Sequence, residues 1–172
     1  YFFAPSRYEK PLLNYFESHP EFVMPEARYN EIVSFIKSGL KDQSISRLGL
    51  SWGIPVPEDE KHTLYVWFDA PIGYVSSTKE ITKDWEKFWK DEKSEVYNFL
   101  GKDNIPFHTI FWPGMVIANG EFNLPKNVVG LQYLNYEGQK FSKSKGIGVF
   151  CERLPELKLE ADVWRHYLTQ II

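Results

Sequence analysis

The sequence predicts an α/β domain with a parallel sheet and flanking helices. Three observations carry this expectation: short continuous apolar runs of the kind buried on both faces of a sheet, apolar residues at helical spacing between them, and the alternation of the two along the chain. The chain has 172 residues, 43% of them hydrophobic and 17% aromatic. That is the size and apolar content of one globular domain or part of one, and it excludes a disordered or fibrous segment. No apolar run approaches the ~20 residues of a membrane-spanning helix.

Taken in order, Pro11 followed by Leu12, Leu13 and Phe16 predicts a helix. Pro25 ahead of Ile32, Val33, Phe35, Ile36 and Leu40 predicts a second, stopped near Gly39. Ser44-Ile45-Ser46-Arg47 and Trp52-Gly53-Ile54-Pro55-Val56-Pro57 read as an irregular connection, because closely spaced prolines sustain neither a helix nor a central strand. Leu64-Tyr65-Val66-Trp67-Phe68 is expected to be a strand of the parallel sheet, ending at Asp69-Ala70-Pro71-Ile72-Gly73. Trp85, Phe88 and Trp89 predict an amphipathic helix leading into a second strand, Val96-Tyr97-Asn98-Phe99-Leu100, closed by Gly101-Lys102-Asp103. A helix from Pro106 would place His108 and Trp112 on one face, with a kink or break expected just after them at Pro113. Residues 127–134 form the third strand candidate, with Glu137-Gly138 the turn beyond it. Val163, Trp164, Tyr167, Leu168 and Ile171 predict the last helix.

The net charge of −3 argues against a nucleic-acid clamp with a strongly basic face. The distribution is uneven. Residues 126–172 carry seven Lys/Arg against five Asp/Glu, and Lys140, Lys143 and Lys145 fall in one short stretch, where a polyanion is best handled. A single cysteine excludes a disulfide framework and a Cys/His metal cluster, and Tyr1-Phe2-Phe3-Ala4-Pro5 has no charged leader, so a reducing, cytoplasmic compartment is expected. The opening is apolar and lacks Met, and is expected to continue from earlier chain.

Ligands of open parallel sheets bind beyond the carboxyl ends of strands, which singles out three places. The first is Asp69-Ala70-Pro71-Ile72-Gly73-Tyr74, where small residues and a proline leave a shaped space beside Trp67 and Tyr74, or else form a tight turn with core aromatics. The second is Gly101-Lys102-Asp103, with a glycine that admits a ligand to the backbone and an aspartate able to accept from ribose hydroxyls; alone it is equally an ordinary surface turn. His108 and Trp112 follow it. The third is Lys140-Phe141-Ser142-Lys143-Ser144-Lys145-Gly146, lysines alternating with hydroxyls, which suits a pyrophosphate or triphosphate but standing alone reads as a solvated basic loop.

These strings do not stand alone. Lys-Phe-Ser-Lys-Ser at 140–144 resembles the Lys-Met-Ser-Lys-Ser signature of class I aminoacyl-tRNA synthetases, with Phe141 in place of the commoner Met. Trp52-Gly53-Ile54-Pro55-Val56-Pro57 resembles a phrase of the same class. Tyr65-Val66-Trp67-Phe68-Asp69-Ala70-Pro71-Ile72-Gly73-Tyr74, Gly101-Lys102-Asp103 and Phe107-His108 with Trp112-Pro113 resemble the methionyl-tRNA synthetase family in order and spacing, over nearly the whole chain. Leu134-Asn135-Tyr136-Glu137-Gly138 and Ile147-Gly148-Val149-Phe150 are most similar to its eukaryotic cytosolic branch.

The resemblance implies the second half of a Rossmann-like catalytic fold: a joining segment over 1–57 and the catalytic half over 58–172, including the lysine loop. It implies an ATP-dependent methionine–tRNA ligase whose partners are methionine, ATP and tRNA, with Mg2+ accompanying the ATP, no zinc within this stretch and no membrane. Trp67, Ala70, Pro71, Tyr74, His108 and Trp112 would form the methionine pocket. There aromatic rings contact the thioether for ~0.3–1.5 kcal/mol each, and a His or Tyr proton meets the sulfur. Gly101 and Asp103 would hold the ATP ribose. Lys140, Ser142, Lys143 and Ser144 would be the catalytic loop on the phosphates, with Arg47 a further phosphate candidate beside its alternative as a surface ion pair.

The family's His-Ile-Gly-His string is absent from this chain, and with it half the ATP site. An N-terminal catalytic half and an anticodon-binding domain are expected elsewhere in the complete protein. The rival reading is a non-catalytic interaction module that keeps the fold. On the catalytic reading, the isolated 172 residues should show no methionine-dependent pyrophosphate exchange above a blank.

Overall fold

In the computed structural model, residues 1–171 are described. They form one compact unit over Tyr1–Gly130 and a smaller one from Leu131 onward. The first opens with β1 (Phe2–Phe3), a 3-10 turn, α1 (Glu9–Ser18), β2 (Val23–Met24) and α2 (Glu26–Lys37). Leu12 and Phe16, one helical turn apart, are fully buried, as the apolar spacing requires. The Ser38 N–H returns to the Ser34 carbonyl at 3.0 Å, and Gly39 at φ 95° lets the chain leave α2.

Next come β3 (Gln43–Ser44), β4 (Ser46–Leu48), β5 (Pro55–Val56) and β6 (Asp59–Leu64). The stretch expected to be irregular is therefore a small antiparallel sheet in the order β4-β6-β5. Pro55 is tolerated because β5 is an edge strand, where a missing N–H leaves no ladder partner unpaired. The expected boundary between residues 57 and 58 falls in the turn of the β5–β6 hairpin.

The apolar run at 64–68 is not a strand. Leu64 ends β6, its N–H on the Ile54 carbonyl at 2.7 Å, and the Tyr65 N–H reaches the Ile45 carbonyl at 2.9 Å. The chain then turns into α3 (Val66–Asp69) and α4 (Ile72–Ile81), with Pro71 at the α4 entrance. Val66 and Trp67 are 60% and 51% exposed, so the run lies over a surface instead of inside a sheet.

After α5 (Trp85–Trp89) come β7 (Tyr97–Gly101), α6 (Trp112–Asn119) and β8 (Asn127–Leu131). Strand β8 sits between β2 and β7, and β2 runs parallel to it with Val23 opposite Val128. Helices α1 and α2 close over this sheet through Leu12, Phe16, Ile32 and Ile36, which meet Phe22, Ile105, Ile110 and Val128 in the main core. A second core joins Val75, Trp89, Trp112 and Val116. There the Trp89 and Trp112 rings pack edge to face at 6.3 Å, and Trp89 donates its indole N–H to Thr78 Oγ1 at 3.0 Å.

The expected break at Pro113 takes another form. Residues Phe107–Phe111 make a π turn in which the Trp112 N–H reaches back five residues to the Phe107 carbonyl, and α6 continues through a fully buried Pro113. A proline ring clashes with the carbonyl four residues before it, here that of Thr109, and offers it no N–H. Widening the helix by one residue moves that carbonyl aside, so the disturbance lies before the proline and not after it.

The second unit carries β9 (Asn135–Tyr136), β10 (Gln139–Lys140), two 3-10 turns and α7 (Ala161–Ile171). Strands β9 and β10 form a hairpin whose turn residues Glu137 and Gly138 have φ of 49° and 76°, the doubly left-handed turn matching strand twist.

Truncating Phe16, which is fully buried between α1, α2 and the sheet, should cost ~3–5 kcal/mol of stability, measured by urea unfolding of F16A beside wild type.

Candidate active site

The π turn aims each of its residues at a different neighbour. Thr109 and Ile110 go into the main core, while His108 faces a cavity of about 310 Å³ lined by Trp67, Ala70, Pro71, Tyr74, Asn104, Phe107 and His108. Helix α3 supplies Trp67, the junction into α4 supplies Ala70 and Pro71, the first turn of α4 supplies Tyr74, and the chain after β7 supplies the rest. Five of the six residues expected to meet here do so. Trp112 does not: it packs in the second core and lines a separate depression with Leu64, Phe68 and Asp69. The wider turn between them takes His108 and Trp112 off a common helical face.

The cavity is aromatic, and its histidine and tyrosine protons are engaged internally. Trp67 meets Phe107 edge to face at 4.6 Å, and Phe107 stacks on Phe111 at 5.3 Å. His108 Nδ1 lies 3.0 Å from the Asn104 carbonyl, which can only accept, so Nδ1 carries the proton. Nε2 is then an acceptor, and the Tyr74 hydroxyl donates to it at 2.9 Å. Burial pushes the His108 pKa below its ordinary value, partly offset by the Asn104 carbonyl, and holds the ring neutral. Both protons expected to meet a thioether are thus already committed. What the cavity's residues offer a ligand is ring faces, small aliphatic groups, the lone pairs of the Tyr74 oxygen, and the Trp67 indole N–H and Asn104 side-chain amide, which have no partner among the described residues.

Behind the Trp67–Phe107 pair lies a second cavity of about 330 Å³, bordered by Ser44, Arg47, Tyr65 and Phe111. The Arg47 guanidinium stacks on the Tyr65 ring at 3.8 Å and donates to Ser44 Oγ at 3.1 Å and to the Ser46 carbonyl at 3.0 Å. It forms no ion pair among the described residues. Gly101 ends β7 with open space where a Cβ would lie, and Asp103 stands exposed in the 3-10 turn Lys102–Asn104. Asp103 borders a third depression with Arg28, Glu31 and Lys102.

In the second unit, the lysine loop is a closed hairpin. The Ser142 and Ile147 backbones exchange hydrogen bonds at 2.9 and 3.0 Å, and the Gly146 N–H reaches the Lys143 carbonyl at 3.1 Å. Gly146 at φ 66° closes the turn, and Ser142 Oγ lies 3.3 Å from Ser144 Oγ. Lys140 rests its ammonium on the Tyr133 ring at 3.5 Å. Lys143 and Lys145 are exposed and pair with no carboxylate among the described residues.

A family model described as tRNA synthetases class I (M) matches residues 1–172. The chain belongs to that family. It is 48% identical over 139 residues to a probable methionine–tRNA ligase of Oryza sativa subsp. japonica, covering 78% of this chain and 17% of that protein. It is 45% identical over 168 residues to the methionine–tRNA ligase of Caldanaerobacter subterraneus subsp. tengcongensis, covering 98% of this chain and 26% of that one. Its α/β fold matches the crystal structure of Mycobacterium tuberculosis methionyl-tRNA synthetase bound by methionyl-adenylate, with TM-score 0.79 and 35% identity over 91% of this chain and 30% of that chain. The chain thus spans between about a sixth and a third of the relatives it matches.

Within this class I synthetase segment, two cavity residues went unread in the sequence. Asn104 sits one turn before His108, so a carbonyl in reach of Nδ1 was implied by helical spacing alone. Phe107 carried no such signal, because only the widened turn swings it under Trp67.

Because His108 is held neutral chiefly by burial, its charging opposes folding. A depressed histidine pKa means the unfolded chain binds the proton more readily, so this contribution is complete above the unfolded pKa of ~6.5 and is lost as pH falls through the folded value. Ring titration by NMR should place His108 below 6.5, and Trp67→Ala, which admits water, should move it back up.

Proposed function

We propose that this chain belongs to a methionine–tRNA ligase, in which it contributes the methionine side-chain pocket and the phosphate-handling loop. The observation that carries the reading is the convergence of Trp67, Tyr74 and His108 on one aromatic cavity whose internal hydrogen bonds are closed. A cavity walled by ring faces and small aliphatic groups, with the His108 and Tyr74 protons already hydrogen-bonded, suits an unbranched, polarizable thioether, which asks chiefly for ring contact. About 310 Å³ is the lower end for ligand cavities and fits an amino-acid side chain, not a whole adenylate.

In the reaction, the carboxylate of methionine attacks the α-phosphorus of ATP, and the bond to the β-phosphate oxygen breaks to release pyrophosphate. The terminal hydroxyl of tRNA then attacks the acyl carbon and AMP departs. No side chain becomes covalently attached. Catalysis is positioning together with stabilisation of charge moving onto the leaving pyrophosphate. Lys143, exposed and paired with no carboxylate among the described residues, is assigned to that charge, with Lys140, Ser142 and Ser144 beside it. Asp103 is assigned to the ribose hydroxyls, with Gly101 leaving the backbone open to the sugar. Arg47, stacked and hydrogen-bonded within its own strand region, is retained as the weaker phosphate contact.

Magnesium is assigned to the nucleotide, since Mg2+ prefers phosphate oxygens and water to a protein cage. The described residues bring no three His, Cys, Asp or Glu side chains together. No helix among the described residues is long and apolar enough to cross a membrane.

In the complete enzyme, Lys143→Ala should slow adenylate formation by about 30- to 1,000-fold, the ~2–4 kcal/mol of one lost transition-state contact, with methionine affinity nearly unchanged. Trp67→Ala should do the reverse, weakening methionine first. Single-turnover rates and methionine titrations on both variants check this; an unaltered rate in Lys143→Ala would remove the loop from the chemistry.

A further inference from the structure

The resemblance gives no role to the residue between Lys140 and Ser142, yet the loop is built around it. The Phe141 ring packs edge to face against Tyr136 of β9 at 5.8 Å. On its other side it covers Gly148, where a Cβ would enter the van der Waals envelope of Phe141 Cδ1 and Cε1 and lie 3.2 Å from Cγ. Gly148 also has φ of 133°, a conformation that residues with a side chain rarely adopt. So the aromatic ring and the glycine are mutually fitted: the ring occupies the space that only a missing side chain leaves.

That contact spans the loop. Phe141 directly precedes Ser142, and Gly148 directly follows Ile147, the two residues whose backbones exchange the loop-closing hydrogen bonds. The ring therefore pins both stems at the point where the hairpin carrying Lys143 begins and ends. We infer that Phe141, seated on Gly148 against Tyr136, is a positioning residue that sets the resting conformation of the lysine loop and thereby the placement of Lys143 on the phosphates. The inference rests on the proposed role of the loop and adds the element that aims it. A pinned base with an unpaired lysine at the tip lets the charge move without loss of loop register. Freed of the pin, the same lysine would have to be ordered at the transition state, and the cost would fall on the rate.

The test is made in the complete enzyme by adenylate formation and by amide exchange. Phe141→Ala should lower the single-turnover rate at least tenfold with methionine KM within twofold, and should speed exchange of the Ser142 and Ile147 N–H groups. Phe141→Met, flexible enough to refill the space, should restore both. Gly148→Ala should lower the rate too, and adding Phe141→Ala to it should lower the rate little further, because the pair acts as a unit. Unchanged rates in Phe141→Ala and Gly148→Ala, or full additivity of the two, would overturn the inference. Lys143→Ala run alongside separates the two levels. If it slows adenylation while Phe141→Ala does not, only the positioning role fails; if neither slows it, the reading of the loop itself fails.

Discussion

The architecture of the first unit turns on Pro113. A proline inside a helix withdraws one N–H and presses on a carbonyl one turn earlier, and the chain meets this by opening a single π turn over Phe107–Phe111. That turn is where three parts of the unit come together. Ile110 enters the core under α1 and α2, Trp112 enters the core with Trp89, and His108 is left facing the cavity beneath Trp67 and Tyr74. With an ordinary α-helical turn, His108 and Trp112 would stay on one face, and the site and the second core would compete for the same space.

The candidate site divides its chemistry accordingly. On the proposed reading, recognition falls to the aromatic cavity, where Tyr74, His108 and the Asn104 carbonyl form one hydrogen-bonded chain and ring faces supply shape and polarizability. In the second unit, the lysine loop has stems fixed by backbone bonds and by the Phe141–Gly148 fit while Lys143 stays exposed.

The sequence made the long periodic elements legible. Helices α1, α2, α5 and α7, strands β7 and β8, and the Glu137-Gly138 turn lie where apolar period and turn chemistry put them. The stretch at 64–68 departs from the strand its composition predicts because an apolar, β-branched and aromatic run is equally the end of one strand and the start of a helix roofing a cavity, and length alone does not choose between them. Strand β6, Asp59-Glu60-Lys61-His62-Thr63-Leu64, gave no apolar alternation, since its partners β4 and β5 are short and Thr63 is its one buried residue. The convergence of Trp67 and His108 was anticipated, but from neighbouring parallel strands. It arises instead from α3 after an antiparallel strand and from the π turn after β7. Motif strings recorded which residues meet; the local geometry that makes them meet was not in the periodicity.

The most direct measurement of the central claim is a crystal structure of the complete protein with methionine bound. The thioether should lie within ~5 Å of the Trp67 ring, against Ala70 and Pro71, with the Tyr74–His108 hydrogen bond intact. Methionine bound with its side chain outside this cavity, or a His108 Nε2 turned from Tyr74 to donate to the sulfur, would contradict it.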